Sequence, residues 1–266
     1  MSKFSQLEDQ SMVIEATLQD CMDADIVIEG FIDTIKKGAS DFWKTIRKLI
    51  DMLLDKINNW RRSRKQAERK KQYDVYAKQK EENLEERRKE ERYVKCKFYF
   101  LHDATSIGRI MLLLETICRQ LIKYTSAKKS MLKDEREEAQ NYIKDRFSDL
   151  KQLLSGYESL SEYKFDSADI NKIKSSDTIP WKITSNCESI LEELRSKILS
   201  VDVTFDGSGR LKHKTLTDED MAYNAFLQEM LTNYITLLND LIKKAEHDEK
   251  ELDYVRQVSI DLEYYK

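Results

Sequence analysis

The chain has 266 residues, 36% of them charged, with a net charge of −3 and a mean hydropathy of −0.67. One proline and six glycines exclude loop-rich architectures, Rossmann crossovers and β-sandwiches among them, and favour long unbroken helices, because these two residues break helices. The near balance of 46 basic and 49 acidic residues excludes a whole-chain basic field for nucleic acid.

The four cysteines, Cys21, Cys96, Cys118 and Cys187, stand far apart with no CxxC pair. They are predicted to be free buried thiols in a reducing compartment. No run of roughly eighteen apolar residues occurs, so no transmembrane helix is expected. The acidic N-terminus has no basic n-region, so no secretory signal is expected.

Charge is segregated along the chain. Residues 1–35 hold one lysine against eight acids, and residues 44–71 hold eleven basic residues against Asp51, Asp55 and Glu68. Two adjoining blocks of opposite sign either attract each other or face different partners. Residues 11–35 read as one helix or two short ones, with Met12, Val13, Ala16, Leu18, Ile26, Ile28, Phe31, Ile32 and Ile35 as apolar points. Gly38 punctuates. Ser40 is a suitable N-cap for the next helix, with Asp41 in its first turn where the dipole favours an anion.

Residues 42–60 carry the clearest pattern in the chain. Phe42, Trp43, Ile46, Leu49, Ile50, Leu53, Leu54, Ile57 and Trp60 recur at steps of three and four and define one helix face. Lys44, Arg47, Lys48, Asp51, Asp55 and Lys56 lie opposite. Such a face packs on neighbouring helices, its commonest use, or lies on a membrane surface, or enters a partner groove. Residues 61–92 are almost pure charge and read as a solvated helical connector with pairs such as Glu85–Lys89 four apart.

Residues 94–101 alternate apolar and basic through Val94, Cys96, Phe98 and Phe100. That is strand periodicity and leaves a short strand open at 94–101; 93–126 as a whole is read as helical, clearly so only after Thr105, on the strength of Ile107, Ile110, Met111, Leu114, Ile117, Cys118, Leu121 and Ile122. A helix follows from about Ser130 to Ser155, which Gly156 can stop. Loop signals crowd 156–216. Pro180 is there, and Ser185 with Glu188 has capping-box spacing ahead of a helix. Val201, Val203 and Phe205 before Gly207-Ser208-Gly209 make the best hairpin candidate. Thr217 and Asp220 cap the last long helix, which continues through the charged tail to Leu252 and Val255.

Candidates for chemistry are few. Asp202, Thr204, Asp206 and Gly207 open like a calcium loop, but His213 stands where a bidentate glutamate would close it. His102, His213 and His247 have no second ligand at metal spacing, and no phosphate-cradling glycine motif occurs. No cofactor, small-molecule substrate or enzymatic activity is expected. The basic run Arg61, Arg62, Arg64, Lys65, Arg69, Lys70 and Lys71 is a solvated face or, in the sharper reading, a contact for phosphates or an anionic surface.

Residues 15–38, EATLQDCMDADIVIEGFIDTIKKG, and 41–65, DFWKTIRKLIDMLLDKINNWRRSRK, join an acidic stretch to a basic amphipathic helix that leads into a long charged region. In this the first quarter of the chain resembles virion structural or internal proteins of large tailed bacteriophages. The resemblance implies a non-enzymatic virion component. The expected protein is mainly α, an elongated bundle of long charged helices with at most a small β-hairpin. It divides into residues 1–60, a connector at 61–92, and a helical domain at 93–266 with a loop or hairpin region near 156–216. It acts through helix–helix contacts with protein partners or itself, in the virion or the bacterial cytoplasm. The alternative is a helical protein of a bacterial cell associated with a membrane surface or nucleic acid.

Overall fold

A computed structural model describes residues 42–65, 94–100, 104–126, 132–165, 178–197 and 218–264. The described residues form five α-helices and one two-stranded antiparallel sheet. The order is α1 (Phe42–Lys65), β1 (Val94–Phe98), α2 (Ala104–Ser126), α3 (Lys133–Leu154), a single 3-10 turn at Ser155–Tyr157, β2 (Ser161–Phe165), α4 (Ile179–Lys197) and α5 (Asp218–Tyr264). The protein is therefore mainly α.

Apolar spacing drives the assembly. On α1, Ile46, Leu49, Ile50, Leu53, Leu54 and Ile57 are all buried, while Arg47, Lys48 and Asp55 are exposed. Ile107, Ile110, Leu114, Ile117, Cys118 and Leu121 form the matching stripe of α2. Both join one core with Ile143, Phe147 and Leu150 of α3, Ile183, Cys187, Ile190, Leu191 and Leu194 of α4, and the first half of α5. Helix α4 packs against α1, α2 and α5, and α3 lies along α2.

Helix α5 has 47 residues, a length of about 70 Å at the usual rise. It reaches past the bundle core into a second, smaller apolar cluster. There Leu252, Tyr254 and Val255 meet Cys96 and Phe98 of β1 and Phe165 of β2. The Phe98 ring stands edge-on to Tyr163 and Phe165, with centroids 5.8 and 5.7 Å away.

Several expectations need correction. Residues 94–98 are strand, not helix. Cys96, Phe98 and Phe100 are buried while Lys97 is exposed, so the period-two alternation decides over the helical neighbourhood. The partner strand is β2, in the register Cys96↔Tyr163. The pair is not a hairpin, because α2 and α3 separate its strands. The hairpin candidate at 201–209 lies outside the described residues, as do the predicted helix at 11–35, Ser40, Asp41 and most of the charged connector.

Helix α4 begins at Ile179, before the predicted cap. Pro180 sits in its first turn, where a missing N–H costs nothing and the fixed φ suits the helix. Ser185 is thus mid-helix rather than a cap. Helix α3 does not end on a left-handed glycine. It tightens into the 3-10 turn that contains Gly156, and the Ser155 amide donates to the Lys151 carbonyl. At its start, Asp134 and Glu135 occupy the first turn, and the Glu135 carboxylate accepts the Leu132 amide at 3.0 Å.

Candidate functional site

The predicted interaction face and basic run meet on α1, and the structure treats their members differently. The aliphatic members of the face, Ile46 to Ile57, lie in the protein's own core, with Trp43 half-buried against it. Trp60 is half-buried and faces Trp181 of α4, ring centroids 6.0 Å apart. Phe42 is the first residue of α1. A face closed over by α4 and α5 is not at the same time available to a lipid surface.

Arg61 heads the basic run but points into the molecule. Its guanidinium pairs with Glu188, donates from Nη2 to Ser185 Oγ at 3.0 Å, and lies over the Trp181 ring at 5.0 Å. Ser185 and Glu188 sit three apart on α4 and so share a face. The spacing read in sequence as a helix cap is the receptor for this arginine. Arg62 is exposed, Arg64 and Lys65 close α1, and Arg69, Lys70 and Lys71 lie outside the described residues.

Two more ion pairs tie α1 down. Lys56 reaches Glu246 of α5 at 3.2 Å, with both side chains largely buried, and Asp51 forms an ion pair with Arg195 of α4 at 2.9 Å. Beside the second pair a shallow groove of about 340 Å³ is lined by Asp51, Asp55, Asn58, Glu192 and Arg195 with Leu54.

Among the described residues a buried polar cluster occurs that was not singled out in the sequence. It lies on α5, where Asp248, Glu249, Glu251 and Asp253 are all buried. Asp248 accepts the backbone amides of Tyr99 and Phe100, each at 2.8 Å. Glu251 accepts the Lys97 amide at 3.2 Å, and His247 Nε2 lies 3.2 Å from the Lys97 carbonyl oxygen. Glu249 accepts from the Thr178 hydroxyl and from Arg256, which also pairs with Asp253. Burial is the main force on Asp248. It raises the carboxyl to about 7, helped by the nearby Glu251 charge and opposed by the two amides. The signal in sequence was the run Leu252, Tyr254, Val255, which occupies more than one side of a helix and so marks burial all round.

The thiols of Cys96, Cys118 and Cys187 are buried and are not joined in disulfides. Burial pushes Cys118 and Cys187 up to about 12, and Glu193 adds to the shift at Cys118. Thiols held protonated in this way are poor nucleophiles. Tyr234 crosses the same region and donates its hydroxyl to the Leu114 carbonyl at 2.6 Å. Among the described residues no group of three or more metal-ligating side chains converges, and no helix is long and apolar enough to cross a membrane. Cys21, His102, His213 and the calcium-loop candidate at 202–207 lie outside them.

The described residues define a class by architecture: among them, five helices assemble and the 47-residue α5 is clamped to a two-stranded sheet by buried carboxylates. No protein-family model, no curated protein and no solved structure matches the chain.

Proposed function

We propose that the protein is a non-enzymatic structural component that acts through helix–helix contacts. One observation carries this reading. Helix α1, expected from its spacing to carry the interaction face, commits its apolar face and the charged side chains of Asp51, Lys56 and Arg61 to the chain's own α4 and α5, so helix–helix packing is what the described residues are built to do. The resemblance of residues 15–38 and 41–65 to virion proteins of large tailed bacteriophages supplies the setting. In that setting the chain is a structural or packaged part of the particle.

The test is assembly against adsorption. Sedimentation velocity over a wide concentration range, with chemical cross-linking, should reveal self-association or co-assembly with particle proteins. Liposome flotation and DNA binding at low salt should be weak by comparison. A chain that stays monomeric, makes no such complex and binds DNA with a steep salt dependence would replace this reading with a nucleic-acid role for the run that begins at Arg61. Flotation with anionic vesicles under the same conditions would replace it with a membrane-surface role.

A further inference from the structure

We propose that Asp248 is a proton-operated latch between α5 and β1, so that one proton on this carboxylate sets how readily the strand is released from the helix. The inference is independent of the structural role proposed above. It starts from an edge. One side of β1 pairs with β2, and the other side presents the amides of Lys97 and Tyr99 and the carbonyl of Lys97 to α5. Unpaired strand groups need partners when buried. Here no third strand supplies them among the described residues. Three side chains of one helix do: His247, Asp248 and Glu251.

Asp248 holds the centre of this edge. It is fully buried, and both of its oxygens are engaged, one by Tyr99 and one by Phe100. Those amides cannot be freed without freeing the carboxylate. Any opening that exposes them therefore also returns Asp248 to water. The charged groups around it are few among the described residues. From α5, Glu251 contributes a like charge, His247 leans on Tyr99 with ring centroids 5.4 Å apart, and Lys244 lies over the Tyr99 ring at 5.5 Å. From the strands, Lys97 and Glu162 face each other across the pairing, with the Lys97 side chain exposed. Among the described residues no ion pair to Asp248 is present, so burial and Glu251 act together against its charge.

The direction follows from linkage. The carboxyl is held up near 7 when docked, against an ordinary value of 3.8. The docked state therefore binds more protons than the opened state throughout that window. Raising the pH favours opening, by about tenfold per unit inside the window and not at all above it. The latch is firm in acid and loosens toward neutrality, the reverse of an ordinary salt-bridged aspartate.

Two measurements on the full chain test this. The Asp248 carboxyl carbon, assigned by its loss in Asp248→Asn, should titrate near 7 by NMR. Hydrogen-exchange protection of the Tyr99 and Phe100 amides, corrected for intrinsic rates, should fall by about a hundredfold from pH 5 to pH 8. The fall should be absent in Asp248→Asn. In Glu251→Gln, which removes the like charge, the midpoint should move to lower pH and the fall should shrink. The titration and exchange of the unmodified protein stand even if Asp248→Asn does not fold. A midpoint near 4 would overturn the proposal. So would protection of these two amides that stays level while the carboxyl titrates.

Discussion

Arg61 shows how a residue's neighbours in space can reverse its meaning in sequence. At the head of a basic run it reads as a phosphate contact, yet its guanidinium bonds Ser185 and Glu188 and stacks on Trp181. About a fifth of each charged side chain remains exposed, 21% and 19%. The cost of breaking the pair is then below the roughly 3–5 kcal/mol of a fully buried one. Arg61→Ala should lower the unfolding free energy by about 2 kcal/mol in urea titrations. Arg61→Lys should recover less than half, because an ammonium lacks the rigid planar fork that reaches both acceptors and cannot stack on the Trp181 ring. A lysine variant as stable as the parent would refute the fork. The buried thiols give a second residue-level test. Cys118 and Cys187 ionise near 12 in the folded chain against 9.0 ordinarily. A pKa raised on folding means that these groups leave stability unchanged below about 9 and erode it as pH rises from there toward 12. Urea midpoints at about pH 8 and pH 10.5 should differ accordingly, with the alkaline one lower. In Cys21→Ser, labelling of the remaining thiols should require unfolding.

At the scale of elements, α1 is held by its apolar face and trimmed by its charges. Leu49 and Leu53 are 1% and 0% exposed. Each contributes roughly 1.5–3 kcal/mol by burial, and a buried unpaired carboxylate costs several more. The double variant Leu49→Asp, Leu53→Asp should lose its cooperative thermal transition in circular dichroism. Lys48→Glu, on the exposed side of the same helix, should stay within about 0.5 kcal/mol of the parent. The contrast separates a core helix from a surface one. Equal damage from both changes would place the basic side in an interface. The spacing of α1 was legible because nine apolar residues kept one face through nineteen positions. Strand β2 was not, because SEYKF has only two apolar residues on a common side and owes its burial to Phe98 and α5. Strand β1 carried the right alternation, and the strong helical stripe after it drew the boundary too early. Pro180 misled in the other direction, since the same residue ends one helix and begins another.

At the scale of the whole molecule, α5 joins the two apolar clusters and sets a minimum dimension. A straight rod of about 70 Å has a radius of gyration of about 20 Å. The globular scaling for this length gives about 18 Å. Small-angle scattering should therefore return a value above 18 Å. A value at or below it would mean that α5 is broken in solution. Far-UV circular dichroism should show helix over half of the chain or more, against the usual third. A strand-dominated spectrum would contradict the architecture.

Composition and periodicity determined the class of this protein. With one proline, six glycines and apolar residues at steps of three and four, the chain has few places to turn and several faces to bury, which is a helical assembly. Those signals are local, and each is read within a window of a few turns. The destination of each face was not local. Whether the α1 face met its own chain, a partner or a lipid depended on α4 and α5, more than a hundred residues away. The same holds for the polar groups. The acids of α5 look like a solvated tail in sequence, and only the approach of β1 makes them the acceptors of its edge. Burial and hydrogen bonding between distant segments assign a charge its role, and they come into being only when the chain has folded.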